Sequence, residues 1–345
     1  MKQPDMTPES YFHEVGTHYV VAELLFHLNK TPALTYLCDK KRTSISKLCE
    51  DLKLDLKIVT SLFDYLSNVT PLFELTDDQL SLTEFGEKYL TRFSRRTAAG
   101  ELQLNFWDVR VGAYGNVWES VDRLATKEAI YGQNLKRAGQ FAENGVFKLA
   151  SQFWPSIRDV LKEINDLETV GEFGVNSGLL KFLEDEKLEV QLLGVDKSSE
   201  SISHVKEKLG PGSKIKFQEA DILDVEKWAA GLDRQKAQLF FSIHFHEFMA
   251  FEGLVPGLLG NLKKQFKDCY LLAFEQPRLD PEERNSVAPH LWSYSFSNIL
   301  IHHLIGNGKI LKRSEWKDLF ESQGGKVVKH QPTGYLGYEM FLIKV

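Results

Sequence analysis

Gly171-Glu172-Phe173-Gly174-Val175-Asn176-Ser177-Gly178 joins two segments of different periodicity near the middle of the chain. It follows a short apolar run ending near Gly171 and precedes an amphipathic segment that opens at Leu179. Its glycines therefore lie between a strand and a helix, where they permit a tight turn and the close approach of a ligand. Asn176 stands in place of the middle glycine of the usual spacing. Asn is the best non-glycine residue for left-handed backbone, so the turn survives the replacement.

Outward from this turn, short apolar runs alternate with amphipathic segments. Strands are expected at 190–195, 214–218, 237–242 and 269–274, a helix around His204-Val205-Lys206-Glu207-Lys208, and another over 310–322. The tail adds strand-like pieces at 326–329 and 340–343. Such alternation is the signature of a mostly parallel sheet covered by helices, an α/β fold of the Rossmann-like, seven-stranded kind. Asp196 lies 24 residues after Glu172, at the end of the second strand, where a carboxylate can accept both hydroxyls of a ribose. A nicotinamide dinucleotide satisfies this much. Glu172, however, repels a pyrophosphate and pairs with an ammonium group, while Asp221, after the third strand, can meet an adenine amino group. A ligand with a positive amino-acid end, a ribose and an adenine suits the three carboxylates, and S-adenosylmethionine is that ligand.

N-terminal to this region the pattern is helical. Residues 13–37 repeat Val20, Val21, Leu24, Leu25 and Leu28 at helical spacing and read as one long segment. Thr43 or Ser44 caps a short helix with Ile45, Leu48 and Cys49. A second helix from Asp55 places Ile58, Val59, Leu62, Phe63 and Leu66 on one face. A hairpin over 72–82 turns at Asp77-Asp78, and Thr83 leads into a helix with Phe85, Tyr89 and Leu90. Two helices, a hairpin and a helix make a winged-helix unit. Its second helix offers two carboxylates and one lysine, a poor surface for a polyanion. Residues 94–163 read as helical and rich in aromatics, including Phe106, Trp107, Tyr114, Phe141, Phe147, Phe153 and Trp154. Most of these are expected in a core, with a few lining a substrate cavity, and Arg110 or Arg123 placed to meet an anionic ligand.

Composition narrows the classes further. The 345 residues predict about two domains and bury a large core without staples. A formal charge of −6 has the wrong sign for a protein that coats nucleic acid. Cys38, Cys49 and Cys269 fit neither a disulfide framework nor a thiolate zinc site, which points to a reducing, cytoplasmic setting. No apolar run approaches membrane-spanning length, and the polar start shows no secretory signal.

The segment Leu80-Ser81-Leu82-Thr83-Glu84-Phe85-Gly86, the Tyr131-Gly132 pair, the glycine turn and Asp196 occur in a telling order. His246-Glu247-Phe248 and Gly308-Lys309 with Glu315-Trp316 follow. On these residues, from about 12 to 345, the chain resembles the class I methyltransferases. More narrowly, it resembles the small-molecule O-methyltransferases of plant and bacterial secondary metabolism. The resemblance implies a winged-helix dimerisation domain over 1–100 and a helical linker over 101–163 that contributes to the substrate pocket. An S-adenosylmethionine-binding domain over 164–345 and a homodimer are implied as well, with neither nucleic acid nor membrane as partner.

It also implies roles. Glu172, Gly174 and Gly178 would hold the methionine end of the cofactor, Asp196 the ribose, and Asp221 and Ile222 the adenine, with Ser242 beside them. His246 would be the general base, with Glu247 next to it and Glu275 orienting its ring; an imidazole with an ordinary pKa of about 6.5 suits that work. Trp107, Arg110, His290 and His302 would face the substrate. Ile310 departs from the family, which often places a second orienting carboxylate there. A different version of the reaction follows from His246, Glu247 and either His302 or His303. Two imidazoles and a carboxylate can hold iron or zinc and polarise a 2-oxo acid for methylation at the neighbouring carbon. A catalytically inactive, regulatory protein of the same fold is the third alternative. His13, His18, His27, His204 and His330 are expected in surface or structural roles, and His244 in packing. Glu282, Glu283 and Arg284 are expected on a solvated face, and Met249, Phe251 and Trp316 in packing.

Overall fold

A computed structural model describes residues 7–96, 102–104, 108–138, 152–175, 178–250, 254–306, 308–335 and 337–345. The chain divides into two compact units, Met1–Glu119 with Arg137–Lys148 and Ser120–Lys136 with Leu149–Val345.

The first unit opens with a helix, Pro8–Lys30, whose N-terminus is capped by the Thr7 side chain. The single segment expected over 13–37 is in fact two helices, because Pro32 has no N–H to donate and the chain restarts as Ala33–Lys40. Thr31 marks the break, its hydroxyl accepting from Ala33 N. Strand β1 (Arg42–Ser44) follows, then helices Ile45–Leu52, capped by Ser44, and Leu56–Val69, capped by Asp55. Strands β2 (Phe73–Thr76) and β3 (Gln79–Leu82) form the expected hairpin, and β3 also pairs antiparallel with β1. Leu34, Leu37, Leu48, Phe63, Leu66 and Leu80 are its fully buried core. Ile58 does not join them: it is 60% exposed, so the apolar face of that helix is wider than its buried stripe.

The stretch 94–163 is not helical throughout. Ser94–Arg96 (β4) pairs antiparallel with Leu102–Leu104 (β5), where Leu-Gln-Leu alternates with strand period. A π-helical turn Asp108–Ala113 and short helices Gly115–Trp118 and Val121–Ala125 follow. Only 152–163 is a long regular helix among the described residues. Trp107, Phe106, Phe141 and Phe147 lie outside the described residues.

In the second unit, β6 (Leu167–Phe173), β7 (Gln191–Asp196), β8 (Lys216–Glu219), β9 (Ala237–Ile243) and β10 (Asp268–Glu275) run parallel. β11 (Lys326–Pro332) and β12 (Glu339–Lys344) complete the sheet, with β12 antiparallel to both neighbours. The order is β11-β12-β10-β9-β6-β7-β8. Successive residues of β9 and β10 serve opposite faces. Phe240, Leu271 and Ala273 pack with Trp228, Trp316 and Phe341, while Leu239, Phe241, Leu272 and Phe274 pack with Phe153 and Met340. Burial on both faces explains the unbroken apolar runs of these strands. β6 extends two residues beyond the expected end near Gly171, so Glu172 belongs to the strand and not to the turn. Strand order reverses at β6, which has β7 on one side and β9 on the other. Ligands bind at such a reversal, beyond the carboxyl ends of the strands.

Candidate active site

At the end of β6 the chain turns through Gly174, whose φ of +76° is a conformation that glycine adopts without strain. Gly174 N donates to Val195 O at 3.0 Å, and Val175 N donates to Asp196 Oδ2, also at 3.0 Å. Asp196 Oδ1 accepts from Ser198 N at 2.8 Å. Burial raises the Asp196 pKa above the usual carboxylate range, against the opposing pull of those N–H groups. Glu172 is buried at the end of the strand, and Gly178 opens the helix Leu179–Asp185. Asp221 is exposed, its Oδ1 accepting from Leu223 N. Ile222 packs into the core, and its carbonyl accepts from Trp228 Nε1. Ser242 is fully buried in β9, and its hydroxyl has no hydrogen-bond partner among the described residues. Asn176 lies outside the described residues.

A second constellation forms where β9 and β10 end. His246 sits in the 3-10 turn Phe245–Ala250, just beyond β9, and is 1% exposed. Glu275, the last residue of β10 and fully buried, holds it twice. Glu275 Oε1 accepts from His246 N and Oε2 pairs with His246 Nδ1, both at 2.7 Å. With Glu275 ionised, Nδ1 carries the ring proton and Nε2 presents its lone pair. Burial works against the imidazolium, but the charges of Glu275 and Glu247 outweigh it and raise the His246 pKa above its ordinary value.

His246 Nε2 lies 3.2 Å from His302 Nδ1, the two rings nearly perpendicular at 87°. His302 is 2% exposed on the helix Pro289–Leu304. One ligand atom each from His246, Glu247 and His302 lie within 4.8 Å of one another. Of the histidine pair, His303 is exposed and takes no part in this group. Gly308 closes the site from behind. Its φ is +79°, and a Cβ there would stand 1.8 Å from the His246 carbonyl oxygen, so only glycine fits.

Other expectations shift. His244, at φ +64°, hydrogen-bonds through Nε2 to Tyr338 Oη, and its ring lies 5.4 Å from that of His246. It borders the cluster in addition to packing beside β9. His330 has the structural role expected of it: its Nε2 pairs with Glu339, which Arg313 also holds. Glu283 likewise pairs with Arg313, at 3.0 Å, so it is not simply a solvated residue. The first joins neighbouring strands and the second spans 30 residues, so periodicity along the chain displays neither. Trp316 is buried as expected, and Ile310 is buried where the family resemblance allowed a carboxylate. Arg110 is half-buried in the first unit, whereas Arg123 is exposed in the second. The side chains of His290, Met249 and Arg284, and all of Phe251, lie outside the described residues.

Asn298 was not anticipated. It is buried one turn before His302, and its amide nitrogen has no hydrogen-bond partner among the described residues. The signal was present as Ser295, Asn298 and His302, polar residues at helical spacing on a largely apolar helix, all three buried.

No protein-family model matches the sequence, and no curated protein matches it. Solved structures do. The human N-acetylserotonin methyltransferase in complex with SAM is 16% identical, with a TM-score of 0.65 over 100% of this chain and 99% of that one. The pyocyanin biosynthetic protein PhzM is 16% identical, with a TM-score of 0.67 over 97% of this chain and 98% of that one. PigF with SAH is 13% identical, with a TM-score of 0.68 over 99% and 100% of the two chains. This chain thus has the fold of these methyltransferase structures: a seven-stranded α/β domain preceded by a mostly helical region.

Proposed function

We propose that this protein transfers the methyl group of S-adenosylmethionine to a small-molecule acceptor at His246, most directly to a hydroxyl oxygen. One observation carries this reading: a buried imidazole held by Glu275 at both its backbone N–H and its Nδ1, at the strand ends of a methyltransferase fold. S-adenosylmethionine supplies an electrophilic methyl on a sulfonium centre. The residues present suit it. Glu172 offers a negative charge to the amino-acid end. Each Asp196 oxygen retains a lone pair for a ribose hydroxyl after accepting its backbone N–H. Gly174, Gly178, Asp221, Ile222 and Ser242 complete the proposed cradle.

Glu275 keeps the proton of His246 on Nδ1, so Nε2 takes the acceptor's proton, and the remaining requirement is alignment. Asn298, whose Nδ2 has no partner among the described residues and lies one turn from His302, offers a donor to an oxygen of the acceptor. Trp107, Arg110 and His290 remain proposed substrate contacts. Calorimetry with S-adenosylmethionine and its demethylated product tests the reading. Binding is expected, and its absence in folded protein would end the assignment.

A second reading is favoured by the His246, Glu247 and His302 group. Two imidazoles and a carboxylate suit iron or zinc, and Glu275 behind His246 is the carboxylate that such ligands commonly lean on. Held by these three residues, such an ion would supply Lewis-acid polarisation of the carbonyl of a chelating 2-oxo acid, the chemistry suited to methylation at the neighbouring carbon. Near-stoichiometric iron or zinc in purified protein is then expected; full activity in chelator would eliminate this version. The buried His246–Glu275 pair weighs against an inactive, regulatory protein.

A homodimer accompanies either reading. Tyr11, Phe12, Val15 and Tyr19 line one face of the helix Pro8–Lys30 and are exposed, Phe12 at 75%. A second copy would cover them, and light scattering should give twice the chain mass. Among the described residues no helix is long and apolar enough to cross a membrane. The cysteines are free thiols, in keeping with a cytoplasmic setting, and the charge of −6 with one with no nucleic-acid partner.

A further inference from the structure

His302 rides on an excursion of the chain. After Glu275 the backbone leaves the sheet, forms the helix Pro289–Leu304, and returns through Gly308 to the helix Arg313–Ser322. The outgoing and returning arms are stitched together. Arg278 N donates to Leu311 O at 2.9 Å, Lys312 pairs with Asp280, and Arg313 Nη1 pairs with Glu283 Oε1 at 3.0 Å. Arg313 does more than join the arms. Its Nε lies 2.5 Å from Glu339 Oε1, in β12. Glu339 is buried and stands directly across the strand pair from Glu275, the residue that grips His246. Directly opposed residues share one face of a sheet, so the two carboxylates are neighbours. Each has its own cationic or N–H partner: His246 for Glu275, Arg313 with His330 for Glu339.

We propose that Arg313 is a positioning residue: by bridging Glu283 to Glu339 it fastens the stem of the excursion to the sheet and thereby sets His302 against His246. His246 is anchored to the sheet by Glu275, whereas His302 reaches it only through the excursion. The separation of their nitrogens therefore depends on how firmly the stem is held. A guanidinium suits the task because its fork binds two carboxylates at once, which a lysine ammonium on a flexible stem does less well. The importance of this geometry rests on the reading that His246 is the reactive centre, but the positioning itself is measurable without any acceptor.

The test uses the full chain labelled with 15N-histidine, reading solvent exchange of the imidazole N–H protons of His246 and His302, assigned with His302→Gln. In Arg313→Met that exchange should rise about tenfold or more, while core amides of β9 and β10 stay within about twofold. Arg313→Lys should fall between. Lys329→Met, which removes the 2.6 Å pair with Glu163 and leaves the Glu283–Arg313–Glu339 bridge in place, should leave the imidazoles unchanged. Unchanged imidazole exchange in Arg313→Met would overturn the proposal, as would a rise that merely tracks the core amides or is matched by Lys329→Met. If Arg313→Met does not fold, Glu283→Gln loosens the same stem and decides in its place. Failure of S-adenosylmethionine to bind wild-type protein would remove the methyl-transfer reading and leave this result standing.

Discussion

The crevice at Gly174 and the cluster at His246 lie at the same edge of one sheet, yet they are built by opposite means. In the crevice, backbone groups do most of the holding: Gly174 N meets Val195 O, and Asp196 is set by the N–H groups of Val175 and Ser198. In the cluster, side chains hold side chains, across 29 residues from His246 to Glu275 and 56 to His302. A site made of backbone tolerates exchange of residue type as long as the turn can form. A site made of side chains depends on each partner, and on packing that keeps distant segments in register.

The largest expected effect of breaking that contrast is at His246. His246→Ala should lower turnover about 10³-fold, within the usual range for a lost general base. Cofactor affinity, measured by calorimetry, should stay within about threefold, because the crevice does not need the imidazole. Equal loss of both would show the two regions to be one. Next, Gly308→Ala should destabilise the chain by about 2 kcal/mol in urea unfolding, since its methyl would collide with the His246 carbonyl. An unchanged midpoint would mean the returning arm is not packed there. Asp196→Ala should weaken cofactor binding about tenfold, or about 1.4 kcal/mol, with little effect on stability.

The smallest effect is that of pH. The folded pKa of His246 lies above 6.5, because Glu275 and Glu247 prevail over burial. On the proposed reading the neutral ring acts as the base, so turnover should climb with pH through a midpoint above 6.5. Stability runs the other way: the folded chain binds this proton more tightly than the unfolded one. The resulting stabilisation is complete below 6.5 and fades as pH rises through the folded value. A turnover midpoint below 6.5 would show that another group titrates.

What could be read in advance follows the same division. Strands β7, β9 and β10 appear in the sequence within a residue or so, because burial on both faces leaves continuous apolar runs. Glu275 was placed at its strand end correctly. The helix Pro8–Lys30 was overextended, since apolar periodicity continues through Thr31-Pro32 although proline cannot donate the needed bond. The ribbon of β4 and β5 departs from the helical reading of 94–163 because a three-residue alternation is too short to stand out from its aromatic surroundings. His330 and Glu283 take their significance from partners on a neighbouring strand and a returning arm, Glu339 and Arg313, which periodicity along the chain does not reveal, whereas Asn298 is marked by its helical spacing with Ser295 and His302.

By itself, the order of apolar runs, glycines and carboxylates determined an α/β sheet with acidic residues at successive strand ends, because strand period and turn chemistry are local properties. That His302 and not His303 faces His246 is a matter of how distant segments pack. Adjacent helical residues point about 100° apart, and which one turns inward depends on how the whole helix is docked.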